Sequence, residues 1–370
     1  MKTYRHLHEQ ISDFANLYLA FRKARKGKRE KAEVADFEYN LEANLFLLQT
    51  ELRDGSYRPG AYRNFYVRER KLRLISASPF RDRVVHHALC RVLDPIFEPR
   101  FIHDTYACRV DKGTHKAVDR AQDYARGHAY VLQCDVHQFF PAIDHAILYD
   151  KLAKLIADPQ TLQLIAHILE SGAGVLSPMY TMEWFEGDDL LAAVRPRGLP
   201  VGNLTSQTWA NYYLDSLDQF VKRELKCRAY LRYCDDFLLF HDDKAVLHGW
   251  KEAVEEHLNG LRLALNWRRS EVYPTATGIP FLGYRIFHDH RRLLAANLRT
   301  ARQRLRHNRA AYLAGEITLA QFRESLVSWI AHASHADTWR LRRKMLSDIV
   351  LGGRKDGKHR PGKGPSKTAT

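Results

Sequence analysis

Several features that mark common protein classes are missing from this chain of 370 residues. No apolar run approaches the roughly 20 residues of a membrane-spanning helix. The N-terminal sequence MKTYRHLHEQ lacks the apolar core of a secretory signal. The five cysteines are odd in number and form no CxxC pair, which indicates neither a disulfide framework nor a zinc ribbon. We therefore expect a cytoplasmic protein.

Acidic residues are scarce relative to basic ones, with 43 Asp and Glu against 58 Lys and Arg and a net charge of +15. This surplus indicates a polyanionic partner and argues against a small-molecule metabolic enzyme. The positive charge lies in the terminal regions. Residues 1–31, 291–350 and 351–370 have net charges of +6, +8 and +5, which leaves a net charge of −4 for residues 32–290. An acidic body is unusual in a nucleic-acid binder unless carboxylates there have a chemical task.

The content of 45% apolar residues is enough for a full core. Periodicity predicts helices over 10–52 (interrupted by the basic stretch 22–31), 79–97, 145–170, 205–226, 244–260 and 295–350. Short strands are predicted within 61–76, 130–140, 229–240 and 279–287. Residues 171–197 are predicted to form an irregular loop or a small hairpin, and the Gly-, Pro- and Lys-rich tail 351–370 to be disordered.

Carboxylates stand at the ends of two predicted strands. In AYLRYCDDFLLF, two β-prone runs flank Cys234, Asp235 and Asp236, which is a hairpin pattern with carboxylates at its tip. A solvated Asp-Asp turn would explain that pair alone. Asp135, however, also ends an apolar strand, where a lone charge is costly without a partner. Three carboxylates brought together would form an all-oxygen site suited to Mg²⁺.

At these residues the sequence resembles a reverse transcriptase. RYCDDFLLF resembles the active-site hairpin of that family, and QCDVHQFFPAID resembles the strand with the first metal-binding Asp. Four further segments match in order: RLISASPFRDRVVHHAL and YACRVDKGTHKAV resemble the fingers, RGLPVGNLTSQTWANYYLDSLDQF the template-side loop and helix, and FLGYRI the primer grip. The resemblance covers about residues 60–290.

Within that family, the sequence is most similar to the reverse transcriptases of diversity-generating retroelements. The marker is Ser206-Gln207, where most other members have Ser-Pro, and SWIAHASHADTWRL resembles the thumb of that group. The resemblance implies a prokaryotic or phage-encoded enzyme that copies a template RNA with errors at adenines and transfers the product into a target gene. It also implies dNTP substrates and a small basic accessory protein oligomer as a partner.

The resemblance implies a role for each matching residue. Asp135 and Asp235 would hold two Mg²⁺ ions, with the Val136 carbonyl as a backbone ligand and Asp236 as a weaker third carboxylate. The residues it assigns to the incoming nucleotide are Arg73, Lys71, Phe140 (an aromatic steric gate), Val201 and Gln207. Those it assigns to template and primer are Gly202, Ser206, Tyr233, Phe281, Leu282, Gly283 and the thumb arginines Arg299, Arg302 and Arg306.

Val201 departs from the family pattern. Faithful reverse transcriptases usually have Gln at this position, and a site that loses a polar contact loses discrimination between base pairs. We therefore expect Val201 to contribute to low fidelity.

The expected architecture is α+β, a right-hand polymerase with an antiparallel palm sheet. Its parts would be an N-terminal helical extension (1–60), fingers and palm (61–290), a helical thumb (291–350) and the basic tail (351–370). Three alternatives remain open. The chain could be a group II intron-like, retron or antiphage-defence reverse transcriptase, a catalytically inactive RNA-binding scaffold, or a protein-primed or template-independent nucleotidyl transferase.

Overall fold

A computed structural model of the chain describes residues 3–68, 72–347 and 349. The chain divides into two compact units, one ending at Thr277 and the other beginning at Gly278. Within the described residues, no helix combines the length and apolarity needed to cross a bilayer. Lys71 and the predicted disordered tail 351–370 lie outside the described residues. The four-part division predicted from sequence stays a prediction.

The first unit alternates helices and short strands. The elements are α1 (Leu7–Ile11), α2 (Phe14–Ala24), α3 (Ala32–Tyr39), α4 (Leu41–Arg53), β1 (Arg63–Arg68), β2 (Leu72–Ala77), α5 (Phe80–Phe97), α6 (Thr114–Gly127), β3 (Tyr130–Asp135), α7 (Phe139–Ala142), α8 (His145–Ala153), α9 (Pro159–Gly172), α10 (Leu204–Tyr213), α11 (Asp215–Arg223), β4 (Tyr230–Tyr233), β5 (Asp236–His241), α12 (Lys244–Gly260) and β6 (Glu271–Pro274).

An antiparallel sheet with the strand order β4-β5-β3-β6 lies at the centre of this unit. The strands β3 and β5 are short and almost wholly apolar between their ends, and α6, α11 and α12 pack against the sheet. Nearly continuous apolar strands are typical of a sheet that is buried on both faces. The predicted α+β class with an antiparallel sheet is confirmed.

Both edges of this sheet are protected. Along β4, the N–H of Arg232 donates to the Asp104 carbonyl at 2.9 Å, and the N–H of Tyr106 donates to the Arg232 carbonyl at 3.0 Å. On the other side, β6 is four residues long, begins with the exposed Glu271 and ends at Pro274. Short strands, charges and proline are common at the edges of natural sheets.

Three helix predictions are corrected in detail. The predicted helix 145–170 is the pair α8 and α9, because Pro159 starts a new helix that the Asp158 side chain caps at its N-terminus. The predicted helix 205–226 bends at Leu214, where ψ is 0°, and continues as α11. Asp13 caps α2 and so divides the first predicted helix from α1. Residues 171–197 form the predicted irregular loop, with 3₁₀ turns at Ser177–Met179 and Leu190–Val194 and no hairpin.

The second unit is a small antiparallel sheet followed by helices. Its elements are β7 (Ile279–Phe281), β8 (Tyr284–Ile286), β9 (Arg291–Leu293), α13 (Ala295–Ala314), α14 (Leu319–Ala333) and α15 (Trp339–Ser347). Gly315 takes a positive φ of 78° and ends α13, and Thr318 forms a reciprocal capping box with Gln321 at the start of α14. The region predicted to be a helical thumb therefore contains three helices within residues 295–347.

Candidate active site

The predicted carboxylate hairpin is confirmed. Tyr233 pairs with Asp236 across the turn, and Cys234 and Asp235 form the turn itself. Cys234 has a left-handed backbone, with φ 59°. This conformation is uncommon for a residue with a side chain, and such residues cluster at functional sites.

The third carboxylate lies beside this hairpin because of strand register. Asp135, the last residue of β3, is directly opposite Asp236 of β5. Directly opposed side chains project from the same face of a sheet, so the two carboxyl groups are neighbours. The N–H of Val136 donates to the Asp235 carbonyl at 3.2 Å, which ties the turn after β3 to the hairpin tip. Carboxylates from two distant segments of the chain, Asp135 and the Asp235-Asp236 pair, thus meet at one end of the sheet.

Burial and mutual repulsion shift the pKa values of the hairpin carboxyls. Burial raises the pKa of Asp236 to about 8, helped by the negative charge of Asp235 and by a hydrogen bond with the Asp135 carboxyl. The pKa of Asp235 is also raised, mainly by burial and then by the charge of Asp135. Desolvation and nearby like charges both disfavour ionised carboxyls. A cation at this position would relieve both costs.

Asp135 already has partners at the sheet end. Its Oδ2 accepts a hydrogen bond from Asn266 at 2.9 Å, and its Oδ1 lies 3.4 Å from the Arg269 guanidinium. Among residues 3–68 and 72–347, no group of three or more His, Cys, Asp or Glu side chains is arranged to hold a metal ion. A cation would therefore compete with Arg269 for Asp135. The metal-ligand roles of Asp135, Val136, Asp235 and Asp236 stay predictions.

The predicted nucleotide residues Arg73 and Val201 are linked through β2. The side chain of Arg73 is exposed, and its positive charge lowers the pKa of Asp235 against the dominant effect of burial. On the same strand, the N–H of Ser76 donates to the Val201 carbonyl at 3.1 Å. Gly202 follows with φ +126°, and a Cβ there would stand 3.4 Å from the Ser76 carbonyl oxygen. Glycine thus lets the loop close against β2.

Phe140 occupies the turn that follows Asp135. Its side chain is partly buried, and its ring centre lies 5.4 Å from that of Phe139 at an angle of 63°. The Phe140 carbonyl accepts the N–H of Leu199 at 2.9 Å, which joins this turn to the loop of Val201. Gln138, with φ 46°, starts the turn and its side chain accepts the N–H of Thr181 at 2.8 Å. The long loop 171–197 therefore helps to hold the proposed steric gate.

The template-side residues lie on α10 and β4. Ser206 is 2% exposed, whereas its neighbour Gln207 is exposed. The hydroxyl of Tyr233 is 3.1 Å from that of Thr114 at the start of α6. Ser206 therefore packs in the interior, whereas the side chain of Gln207 is accessible to solvent.

The remaining predicted residues belong to the second unit. Phe281 is buried at the end of β7, and Leu282 and Gly283 form a turn with φ values of 47° and 96°. The Gly283 carbonyl accepts the side-chain amide of Asn297 at 3.0 Å, which fastens the turn to α13. On that helix the predicted thumb arginines are all exposed: Arg299, Arg302 and Arg306.

Three residues near the carboxylates are absent from the sequence-based predictions. Asn266 and Arg269 come from an irregular segment after α12 and carry no recognisable pattern. Arg232 is different, because it sits inside the quoted motif between apolar strand residues and is fully buried. A charge in such a strand needs a partner, which is the argument that singled out Asp135. The same reasoning would therefore have predicted a buried, paired Arg232.

The sequence matches one protein family and several known proteins. Residues 64–286 match the family model described as "Reverse transcriptase (RNA-dependent DNA polymerase)". The chain is 23% identical over 325 residues to Protein YkfC of Escherichia coli, covering 77% of this chain and 82% of that protein. It is 28% identical over 228 residues to the group II intron-encoded protein LtrA of Lactococcus lactis, covering 60% of this chain and 36% of LtrA.

Telomerase structures also align with the chain. The apo telomerase of Candida tropicalis, truncated from its C-terminal domain, gives a TM-score of 0.46 at 10% identity, covering 66% of this chain and 58% of that one.

Proposed function

The chain belongs to the reverse transcriptase family as an RNA-directed DNA polymerase, and from this premise we propose that it serves a diversity-generating retroelement. There it would copy a template RNA into cDNA by two-metal nucleotidyl transfer, with errors at adenines, for mutagenic transfer into a target gene. The observation that carries the polymerase chemistry is the meeting of Asp135, Asp235 and Asp236 at one end of the antiparallel sheet. Ser206-Gln207 is the sequence feature that supports the retroelement assignment.

The chemistry of the donor atoms gathered at this site suits the two proposed Mg²⁺ ions. Magnesium prefers oxygen ligands, and the donor set is Asp135, Asp235, the Val136 carbonyl and the weaker Asp236. Burial and neighbouring negative charges raise the pKa values of Asp235 and Asp236, and a bound cation would offset both effects. Bound ions would activate the attacking 3′-hydroxyl and stabilise the leaving pyrophosphate.

The protein's own side chains would position the nucleotide. Arg73 is exposed on β2 with its charge felt at Asp235, so its guanidinium is placed to hold the triphosphate by bidentate hydrogen bonds. The ring of Phe140 would crowd a 2′-hydroxyl and favour deoxynucleotides. Lys71 would assist Arg73, and Gln207 would approach the nascent pair beside Val201.

The basic parts of the chain would bind nucleic acid. Arg299, Arg302 and Arg306 repeat along one exposed helix and would contact phosphates of the RNA–cDNA duplex. The tail 351–370 would add to RNA binding, and a small basic accessory protein oligomer would assist the enzyme. We place this activity in the cytoplasm of a prokaryotic cell.

Sequencing of the cDNA made by the purified protein with co-expressed flanking RNA tests this proposal. Wild-type protein should incorporate dNTPs with substitutions clustered at template adenines, and the Asp235→Ala/Asp236→Ala variant should make no cDNA. Uniform fidelity would contradict the retroelement role. A lack of DNA synthesis by wild type would instead favour an inactive RNA-binding scaffold.

The similarity to LtrA supports a second candidate, a group II intron-like reverse transcriptase. This candidate predicts faithful copying. Replacement of Val201 gives a finer test, because its backbone is fastened to Ser76 and the side chain can change without moving the loop. Val201→Gln should lower the adenine error rate, with Val201→Ile as the control. An unchanged error spectrum would remove Val201 from the explanation of low fidelity.

A further inference from the structure

A buried arginine lies behind the carboxylate hairpin. Arg232 of β4 and Asp218 of α11 are both 0% exposed and form an ion pair at 2.6 Å. The pair is bidentate, because Nε donates to Oδ1 at 2.8 Å while Nη2 donates to Oδ2 at 2.6 Å. A guanidinium held by two parallel bonds has a fixed plane. Its remaining nitrogen, Nη1, therefore points in one direction.

That remaining nitrogen binds the hairpin turn. Nη1 of Arg232 donates to the Cys234 carbonyl at 2.9 Å, and a longer bond of 3.3 Å reaches Oδ1 of Asn211. The Cys234 carbonyl belongs to the same planar peptide as the N–H of Asp235. Holding this carbonyl therefore holds the backbone on which the Asp235 carboxylate stands. It also supports the left-handed conformation of Cys234, which no glycine relieves.

Asp218 is fixed independently of the hairpin tip. Its Oδ1 accepts the Tyr230 hydroxyl at 2.7 Å, and its Oδ2 accepts the Thr105 hydroxyl at 3.1 Å. These partners lie on different segments of the chain, so the carboxylate has little freedom to turn. The chain of contacts runs from this anchored carboxylate through Arg232 to the Cys234 carbonyl.

We propose that Arg232 is a positioning residue for nucleotide addition, which holds the Cys234 carbonyl and so sets the direction of the Asp235 carboxylate. The inference rests on the proposed two-metal function and extends it to a group that touches neither metal nor substrate. Its consequence is a lower metal requirement, because a ligand already oriented binds a cation without first being ordered. A buried ion pair with a purely structural role would leave the metal requirement unchanged.

The main variant is Arg232→Met/Asp218→Asn, which removes both charges together. The new amide oxygen can still accept the Tyr230 hydroxyl and the new amide nitrogen can donate to the Thr105 hydroxyl, and no buried charge is left unpaired. The matched control is Arg25→Met/Glu38→Gln. It removes an ion pair between the residue that follows α2 and a residue of α3, and it does not change the hairpin. Arg232→Lys is a second variant. The lysine ammonium keeps the positive charge but cannot bind the Asp218 carboxylate and the Cys234 carbonyl at the same time, as the planar guanidinium does.

The first readout needs neither metal nor substrate. Alkylation of Cys234 by iodoacetamide is followed by peptide mass spectrometry, with the buried Cys90 and Cys227 as reporters of global opening. Release of the turn should raise the Cys234 rate roughly fivefold in the main variant, while the two buried thiols and the control variant stay at wild-type rates.

The second readout is the Mg²⁺ dependence of dNTP incorporation at saturating template. The half-saturating Mg²⁺ concentration should rise roughly fivefold in the main variant and by a smaller factor in Arg232→Lys, with a dNTP KM at saturating Mg²⁺ changed less than about twofold. Wild-type labelling and a wild-type Mg²⁺ curve in Arg232→Lys would overturn the inference, even if the double variant fails to fold. An inactive wild type would refute the proposed function instead, and the labelling would still test the role of Arg232.

Discussion

Two sets of carboxylates in the first unit differ sharply in how their charges are compensated. Asp218 is fully buried, and its oxygens are bonded to Arg232, Tyr230 and Thr105. Asp235 and Asp236 are partly buried, and burial together with repulsion raises the pKa of both. The charge of a buried structural carboxylate is compensated by hydrogen bonds and ion pairs within the protein. Carboxylates left unsatisfied at a strand end are prepared for a ligand that arrives later.

The largest expected effect comes from Asp235→Asn. Loss of this proposed metal ligand should reduce the rate of dNTP incorporation by roughly a thousandfold or more, because the bound ions would stabilise charge in the transition state. The melting temperature should stay the same or rise, since a neutral amide replaces a charge in a crowded acidic site. Single-turnover primer extension and thermal melting together measure this contrast. A fall in both quantities would erase the distinction between the two groups.

A large loss of stability is expected from Asp218→Ala. This change leaves the buried guanidinium of Arg232 without its partner, which should lower the free energy of unfolding by about 3–5 kcal/mol. Urea denaturation measures the loss. Adding Arg232→Met to the same protein should restore most of the stability, because the unpaired charge is then gone. Stability that does not recover would mean that Asp218 matters for reasons other than charge.

A smaller effect concerns pH. The folded protein holds a proton on Asp236 up to about pH 8, whereas the unfolded chain releases it near pH 4. Folding therefore takes up a proton between these values, and the stability of the metal-free protein should fall as pH rises from about 4 to about 8. Asp236→Asn should remove most of that fall, because the amide does not titrate. Urea midpoints at pH 5 and pH 8 test this, and equal slopes in both proteins would contradict it.

The smallest effect is expected from Tyr230→Phe. It removes one neutral hydrogen-bond donor from Asp218 while the Arg232 pair remains, so the free energy of unfolding should fall by about 1 kcal/mol. Nucleotide addition should be unchanged. Denaturation and primer extension on the same preparation measure both. A loss of activity without a loss of stability would mean that the hydrogen bond from Tyr230 to Asp218 supports nucleotide addition as well as folding.

The sequence predicted the local features of the site well. The hairpin of RYCDDFLLF, the strand ending in Asp135 and the helix 244–260 are all present, because each is defined by a short pattern of apolar residues and its breaks. The register between β3 and β5 was harder to predict from the sequence. That Asp135 faces Asp236 depends on pairing between strands about a hundred residues apart, and only the resemblance to a family indicated it.

Other features depend on tertiary contacts that no local pattern records. The apolar pattern of residues 205–226 predicts one continuous helix, but the chain bends at Leu214. Asp218 of α11, beyond this bend, forms the ion pair with Arg232. Asn266 and Arg269 reach Asp135 from an irregular segment. Polar side chains in loops have no periodicity, so their partners become visible only when the chain is folded.

The protection of the sheet edges has a consequence for handling the protein. Exposed strand edges recruit strands from other molecules and start aggregation. Here the main chain at Asp104 and Tyr106 covers β4, and Pro274 ends β6. Concentrated stocks and refolded material should therefore resist intermolecular β-pairing through this sheet, and a deletion that strips residues 104–106 from β4 should turn a soluble preparation into an aggregating one.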